Sequence, residues 1–112
     1  MSAMSKRERI ERWAIAQYGT EAQQWMVIEE MSELAKEICK IRRGKQELHH
    51  LAEEIADVSI MLDQLQYMFE LESDVKDQIR WKINRLGNRL KEEELKQDDQ
   101  RRAAAGDQSA DP

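Results

Sequence analysis

The sequence predicts an all-α fold, an antiparallel four-helix bundle-like domain completed by oligomerisation. Proline and glycine are scarce, since the chain has four glycines and one proline, which is its last residue. Proline ends helices and glycine weakens them, so few positions interrupt a helix. Apolar residues recur every three or four positions over long stretches, as they do along one face of a helix. Short connections separate these stretches, which favours antiparallel neighbours.

The first two helices are predicted on either side of a glycine. The first spans about residues 5–18 and ends at Gly19. Thr20 followed by Gln23 has the spacing of a capping box, in which two side chains cap the first turn of a helix. A second helix is therefore expected to begin there and to end near Arg43, where cations precede another glycine.

The third and fourth helices are predicted from a second glycine onward. The third spans about residues 46–70, and Ser73 is the expected start of a fourth that ends near Lys96. Residues 97–112 contain no large apolar side chain, and we expect them to form a disordered polar tail. The chain is long enough for one core, so residues 1–96 are predicted to form a single domain.

Charge and cysteine content indicate which binding partners and which cellular location to expect. The net charge is −5, from 18 basic and 23 acidic residues, which argues against a nucleic-acid surface. Cys39 is the single cysteine, so no internal disulfide is possible and a cytoplasmic location is expected. The N-terminal residues lack the apolar stretch of a signal peptide, and no segment has the length to span a membrane. We therefore expect a soluble protein that binds neither nucleic acid nor membrane.

The long apolar stripes predict self-association. Each helix carries a stripe of several turns, and Trp13, Trp25 and Trp81 add bulky apolar surface. A single chain of this length has difficulty covering so much apolar surface, and large exposed patches are usually buried in an interface. The sequence therefore predicts a homodimer or a homotetramer, and it does not distinguish the two.

Two helices repeat one pattern of acidic residues. Residues 27–34 align with residues 51–58 at an offset of 24 positions, so that Glu30 aligns with Glu54 and Glu33 with Asp57. On a helical wheel these four carboxylates lie along one border of the apolar stripes. The stripe of the second helix consists of Val27, Met31, Leu34, Ile38 and Ile41, and that of the third of Leu51, Ile55, Val58, Leu62 and Leu65. A hairpin of the two helices would bring the carboxylates together.

Such a convergence predicts a divalent metal site. Carboxylates that approach one another at the edge of a core repel and lose hydration unless they bind protons or a cation. Hard oxygen ligands suit Mg²⁺ or Mn²⁺, which also retain positions for water and phosphate. In the fourth helix Lys82 and Arg85 occupy the equivalent border, and cations there would suit a polyphosphate held by the metal.

The acidic pattern resembles a known family signature. Glu29-Glu30-Met31-Ser32-Glu33 followed by Glu54-Ile55-Ala56-Asp57 is similar to the EExxE…ExxD signature of the MazG-like all-α nucleoside triphosphate pyrophosphohydrolases, which are related to the dimeric dUTPases. The resemblance covers about residues 18–90. It implies an enzyme of nucleotide pool sanitation that hydrolyses a (deoxy)nucleoside triphosphate to the monophosphate and pyrophosphate. Base and sugar preference, and the number of metal ions, stay open.

The resemblance also implies roles for individual residues. Glu30, Glu33, Glu54 and Asp57 would hold Mg²⁺, while a metal-associated water attacks the α-phosphorus. Glu29 would orient or deprotonate that water. Lys82 and Arg85 would neutralise the leaving pyrophosphate. Gln23, about two turns before Glu30, carries an amide suited to reading the edge of a base.

Two alternatives remain open from the residues themselves. A non-catalytic helical interaction or assembly module would also have amphipathic helices and exposed tryptophans. A carboxylate-bridged di-iron bundle protein is suggested by Glu47-x-x-His50, which has the spacing of half of such a site. The only other histidine is His49, so the second Glu-x-x-His half is missing.

Overall fold

The computed structural model describes residues 3–45 and 47–109, with side chains described as far as residue 106, and this part of the chain is helical with no strand. The helices are α1 (Lys6–Tyr18), α2 (Thr20–Arg42), α3 (Leu48–Met68) and α4 (Glu72–Ser109). The prediction of an all-α, bundle-like fold is confirmed, and its completion by oligomerisation stays a prediction. Among the described residues no helix combines the length and the apolar character needed to cross a membrane.

Local interactions explain how α1 begins and why it ends before α2. The Ser5 hydroxyl accepts a hydrogen bond from the Glu8 N–H at 3.0 Å, which caps the first turn of α1. Gly19 has a φ of 93°, a conformation that glycine adopts without strain, and its N–H donates to Ile15. The predicted capping box is wrong, because Gly19 is the N-cap of α2 and no side chain caps this end.

The connection from α2 to α3 also depends on a glycine. Gly44 has a φ of 91°, and its N–H donates to the carbonyl of Ile41 at 3.0 Å. The predicted start of the third helix, Gln46, lies outside the described residues, and α3 begins at Leu48. The chain thus reverses direction within a few residues, which allows α2 and α3 to pack side by side.

The fourth helix is longer than the sequence pattern indicates. It continues to Ser109, so residues 97–109 are helical where we expected a disordered tail. Arginine and alanine at residues 101–105 favour helix without any packing partner, and Arg101 lies 3.7 Å from Asp98 one turn earlier. The last predicted tail residues, 110–112, lie outside the described residues.

The chain divides into two units, Met1–Glu72 and Ser73–Pro112. In the first unit α1, α2 and α3 all contact one another, most extensively α2 with α3. Among the described residues, the buried apolar side chains of this core are Val27, Val58 and Met61.

The face that α2 and α3 bury differs from the apolar stripes read from the sequence. Met31, Ile38 and Ile55, all assigned to those stripes, are about half exposed, at 51%, 48% and 49%. The stripe residues Val27 and Val58 are buried, but the other buried positions of α2 and α3 lie outside the stripes, at Gln23, Glu37, Met61 and Gln64. Consequently the acidic border turns toward the neighbouring helix, and this rotation creates the candidate site.

Candidate metal centre

Three of the four predicted ligands converge between α2 and α3. Glu30 comes from the middle of α2, while Glu54 and Asp57 lie one turn apart on α3. One carboxylate oxygen from each residue lies within 4.8 Å of the corresponding oxygens of the other two. The spacing of three residues puts Glu54 and Asp57 on one side of their helix, and the α2–α3 hairpin supplies Glu30 opposite them. Three oxygens at this separation can converge on a single cation.

Burial makes it costly for the carboxylates of this cluster to be ionised together. Glu30 and Glu54 are half-buried and Asp57 is exposed. The Oε2 atom of Glu54 is buried and has no hydrogen-bond partner among the described residues. A carboxylate oxygen removed from water without a partner is costly, so such atoms usually contact a proton, a water or a cation.

The pKa values of the two half-buried carboxyls are raised for the same reasons. For Glu30 the largest cause is burial, followed by the charges of Asp57 and Glu54. For Glu54 the largest cause is again burial, followed by the charges of Asp57 and Glu33. The charged groups with the largest effects on both pKa values are carboxylates, so no described cation is among the main influences on the cluster.

The fourth predicted ligand and the predicted base lie at the rim of this cluster. Glu33 is exposed and is not one of the three convergent residues, although its charge raises the pKa of both Glu30 and Glu54. Glu29 is exposed and its charge raises the pKa of Glu30. Both are therefore close enough to act on the cluster through charge, from its solvent side.

Gln23, the predicted base-reading residue, is buried in the core. Its Nε2 donates to Oε1 of Gln64 on α3 at 2.8 Å, and Nε2 of Gln64 approaches the sulfur of Met61 at 3.7 Å. The amide of Gln23 is therefore already engaged. The motif does not indicate the partner, Gln64. Gln23 lies seven residues before Glu30, and Gln64 lies seven residues after Asp57. This matching heptad spacing is the signal that would have identified Gln64.

A second cluster combines Glu37 from the end of α2 with Glu47 and His50 at the start of α3. One potential ligand atom from each lies within 4.8 Å of the others. Glu37 is buried but lies 3.4 Å from the Lys40 ammonium, and Glu47 lies 3.6 Å from His50. The sequence pairs only Glu47 with His50, and folding adds Glu37. Because Lys40 already compensates Glu37, this cluster needs a metal less than the first does.

The predicted phosphate-binding residues belong to the second unit. Lys82 and Arg85 are exposed on α4, where they line a shallow groove together with Leu86 and Arg89. The Arg85 guanidinium lies 5.5 Å from the centre of the Trp81 ring, a cation–π distance.

Comparisons with protein family models, with curated proteins and with solved structures found no match to this chain. The resemblance to the MazG-like enzymes therefore depends on the motif residues alone. What the geometry contributes independently is a set of three carboxylates in which Oε2 of Glu54 is buried without a hydrogen-bond partner among the described residues.

Proposed function

We propose that this chain is a Mg²⁺-dependent nucleoside triphosphate pyrophosphohydrolase, with Mn²⁺ as an alternative ion. The observations that support the proposal most are the convergence of one carboxylate oxygen each from Glu30, Glu54 and Asp57 and the buried Oε2 of Glu54, which has no hydrogen-bond partner among the described residues. Three oxygen ligands suit Mg²⁺, which keeps its other positions for water and phosphate. The residues present therefore fit the ion that the motif implies.

Glu30, Glu54 and Asp57 would hold the ion, and Glu33 at the solvent side would be the fourth ligand. A divalent ion bound there would polarise the substrate phosphate and lower the pKa of a coordinated water. Glu29, also at the rim, would orient that water and accept its proton. Its exposed position allows it to pass the proton on to solvent.

The bond changes define the product. The oxygen of water forms a bond to the α-phosphorus, and the bond from that phosphorus to the bridging oxygen breaks. Pyrophosphate leaves and a nucleoside monophosphate remains. The family resemblance assigns neutralisation of the leaving group to Lys82 and Arg85, since ammonium and guanidinium groups form strong charge-assisted hydrogen bonds to phosphate.

A non-catalytic interaction module is the competing function. Large apolar side chains are exposed along α1 and α2, namely Ile10, Trp13, Tyr18, Trp25, Ile28, Met31 and Ile38. Exposed apolar patches commonly mark a surface that binds another protein or a second copy of the same chain. An interaction module would use this surface and would tolerate loss of the carboxylates.

The two functions are separated by a substrate panel. Purified protein is incubated with each common ribo- and deoxyribonucleoside triphosphate in Mg²⁺ or Mn²⁺, and pyrophosphate and orthophosphate are measured separately. We expect pyrophosphate with the monophosphate as co-product. Orthophosphate release would contradict attack at the α-phosphorus.

Matched variants then link turnover to the cluster. Glu54→Gln and Asp57→Asn keep side-chain size but remove the charge, and we expect both to abolish turnover and to weaken Mn²⁺ binding measured by calorimetry. Glu21→Gln is the control, because Glu21 is an exposed carboxylate on α2 in the first turn, outside the cluster. Turnover that persists in both cluster variants would remove these residues from the site and favour the interaction module.

A further inference from the structure

A second group of ionisable side chains lies where α1 packs on α3. Glu11 on α1 is only 2% exposed. The Arg7 Nε lies 3.5 Å from Oε2 of Glu11, and its Nη2 lies 2.8 Å from Oδ2 of Asp63 on α3. The Tyr67 hydroxyl donates to Oε1 of Glu11 at 3.4 Å. One guanidinium thus joins two carboxyl groups from different helices.

The charges in this group balance only if it carries a proton. With both carboxylates ionised, two negative charges would face one guanidinium at a buried position. Two carboxylates at close range cannot both ionise readily, and one of them retains a proton. In agreement, the pKa of Glu11 is raised to about 7, and burial is the largest cause. A hydrogen bond to Asp63 and the negative charge of Asp63 also raise this pKa, whereas Arg7 lowers it.

The other charged groups nearby are compensated among themselves. Glu8 accepts a hydrogen bond from Arg12 at 2.9 Å, and the Arg12 guanidinium lies 4.2 Å from the centre of the Tyr67 ring. Glu72 acts on Arg12 through its charge. The pKa of Tyr67 is raised by burial and by the charges of Glu11 and Asp63, so its hydroxyl remains a donor at neutral pH. The groups that set the pKa of Glu11 lie on α1 and α3.

We propose that the packing of α1 on α3 is linked to protonation: Glu11 and Asp63 share one proton beside Arg7 while α1 is docked, and docking weakens when that proton leaves. The proton neutralises the pair and supplies the donor that two carboxylates lack. Without it, like charges from the two helices repel across the contact.

The sign and size of the effect follow from proton linkage. The ordinary pKa of a glutamate is 4.5, which is the value expected for Glu11 when α1 is undocked, and burial raises it to about 7 in the docked helix. Docking is then strongest below about pH 4.5, weakens as the pH rises to about 7 and is constant above. Each pH unit in that window changes the docking constant by up to about tenfold, so the change between pH 5 and 7.5 is about 50-fold at most.

The proposal is tested on the full chain by two measurements. Carboxyl-carbon NMR gives the titration midpoint of Glu11, which we expect near pH 7 and at lower pH in Asp63→Asn, where the neighbouring charge is absent. Amide hydrogen exchange over residues 6–18, corrected for the intrinsic effect of pH on exchange, follows docking. Protection of α1 should fall by up to about 50-fold from pH 5 to 7.5.

Two variants make the result specific. Glu11→Gln imitates the protonated side chain, and its α1 should stay protected at both pH values. Glu8→Gln removes a carboxylate from the same helix but outside the pair, so it should retain the pH dependence. A Glu11 midpoint in the ordinary range of glutamate, or unchanged pH dependence in Glu11→Gln, would overturn the proposal. If Glu11→Gln fails to fold, the midpoint measured in the unsubstituted protein decides.

Discussion

The buried amide pair between α2 and α3 permits a quantitative test of the core. Gln23 is 6% exposed and Gln64 is 3% exposed, and their amides are joined by a 2.8 Å hydrogen bond. Gln23→Met preserves length and nearly preserves helix propensity, but it leaves Oε1 of Gln64 without its donor. A buried polar group deprived of its partner costs about 1–3 kcal/mol. We expect the free energy of unfolding to fall by that amount.

The reciprocal and double variants isolate the interaction. Gln64→Met should cost a similar amount, because it leaves the Gln23 amide unpaired. In the double variant both polar groups are gone and two methionines can pack together, so we expect stability within about 1 kcal/mol of the unsubstituted protein. The coupling free energy in this cycle should therefore be about 1 kcal/mol or more.

Urea unfolding followed by circular dichroism measures all four proteins. Equal stability of Gln23→Met and the unsubstituted protein would refute the reasoning, as would a double variant whose loss is the sum of the single losses. The same variant tests base recognition. If Gln23 reads a base, Gln23→Met should also change the ratio of kcat/KM between nucleotides, whereas a residue that acts only in the core would leave the ratio unchanged.

Three further predictions concern the carboxylate cluster, the cations of α4 and the exposed apolar face. Glu54→Gln should raise the Tm of the metal-free protein more at pH 7 than at pH 4.5, because the raised pKa of Glu54 means that the fold disfavours its ionised form. A calorimetric Tm at pH 7 that is lower for the variant than for the unsubstituted protein would contradict this. Lys82→Ala should lower kcat/KM for the triphosphate while leaving the Mn²⁺ affinity measured by calorimetry unchanged. A loss of both kcat/KM and Mn²⁺ affinity would show that Lys82 does more than bind the phosphates. Ile28→Ser combined with Ile38→Ser should reduce the mass found by sedimentation if this face joins copies of the chain, and an unchanged mass would assign it no such role.

Much of the candidate site could be predicted from the sequence, because it depends on short-range order. Glu54 and Asp57 share one side of α3 as soon as that helix forms, and Glu30 occupies the matching position on α2. What the sequence pattern did not indicate is that Glu33 is exposed outside the set of three convergent carboxylates and that Gln23 is buried. The number of residues between two positions gives the angle between their side chains about the helix axis. It does not give the direction in which the neighbouring helix lies.

The sequence by itself determined the helical class, the breaks at Gly19 and Gly44 and the repeated acidic pattern. These features arise from interactions within about one helical turn, which residue type and spacing specify directly. Only the tertiary structure decided which border of each stripe is buried, that Gln23 meets Gln64, and that Glu11 meets Asp63. Rotation of a helix about its own axis is set by packing against residues far away in the chain, and that information is not contained in the periodicity of any one helix.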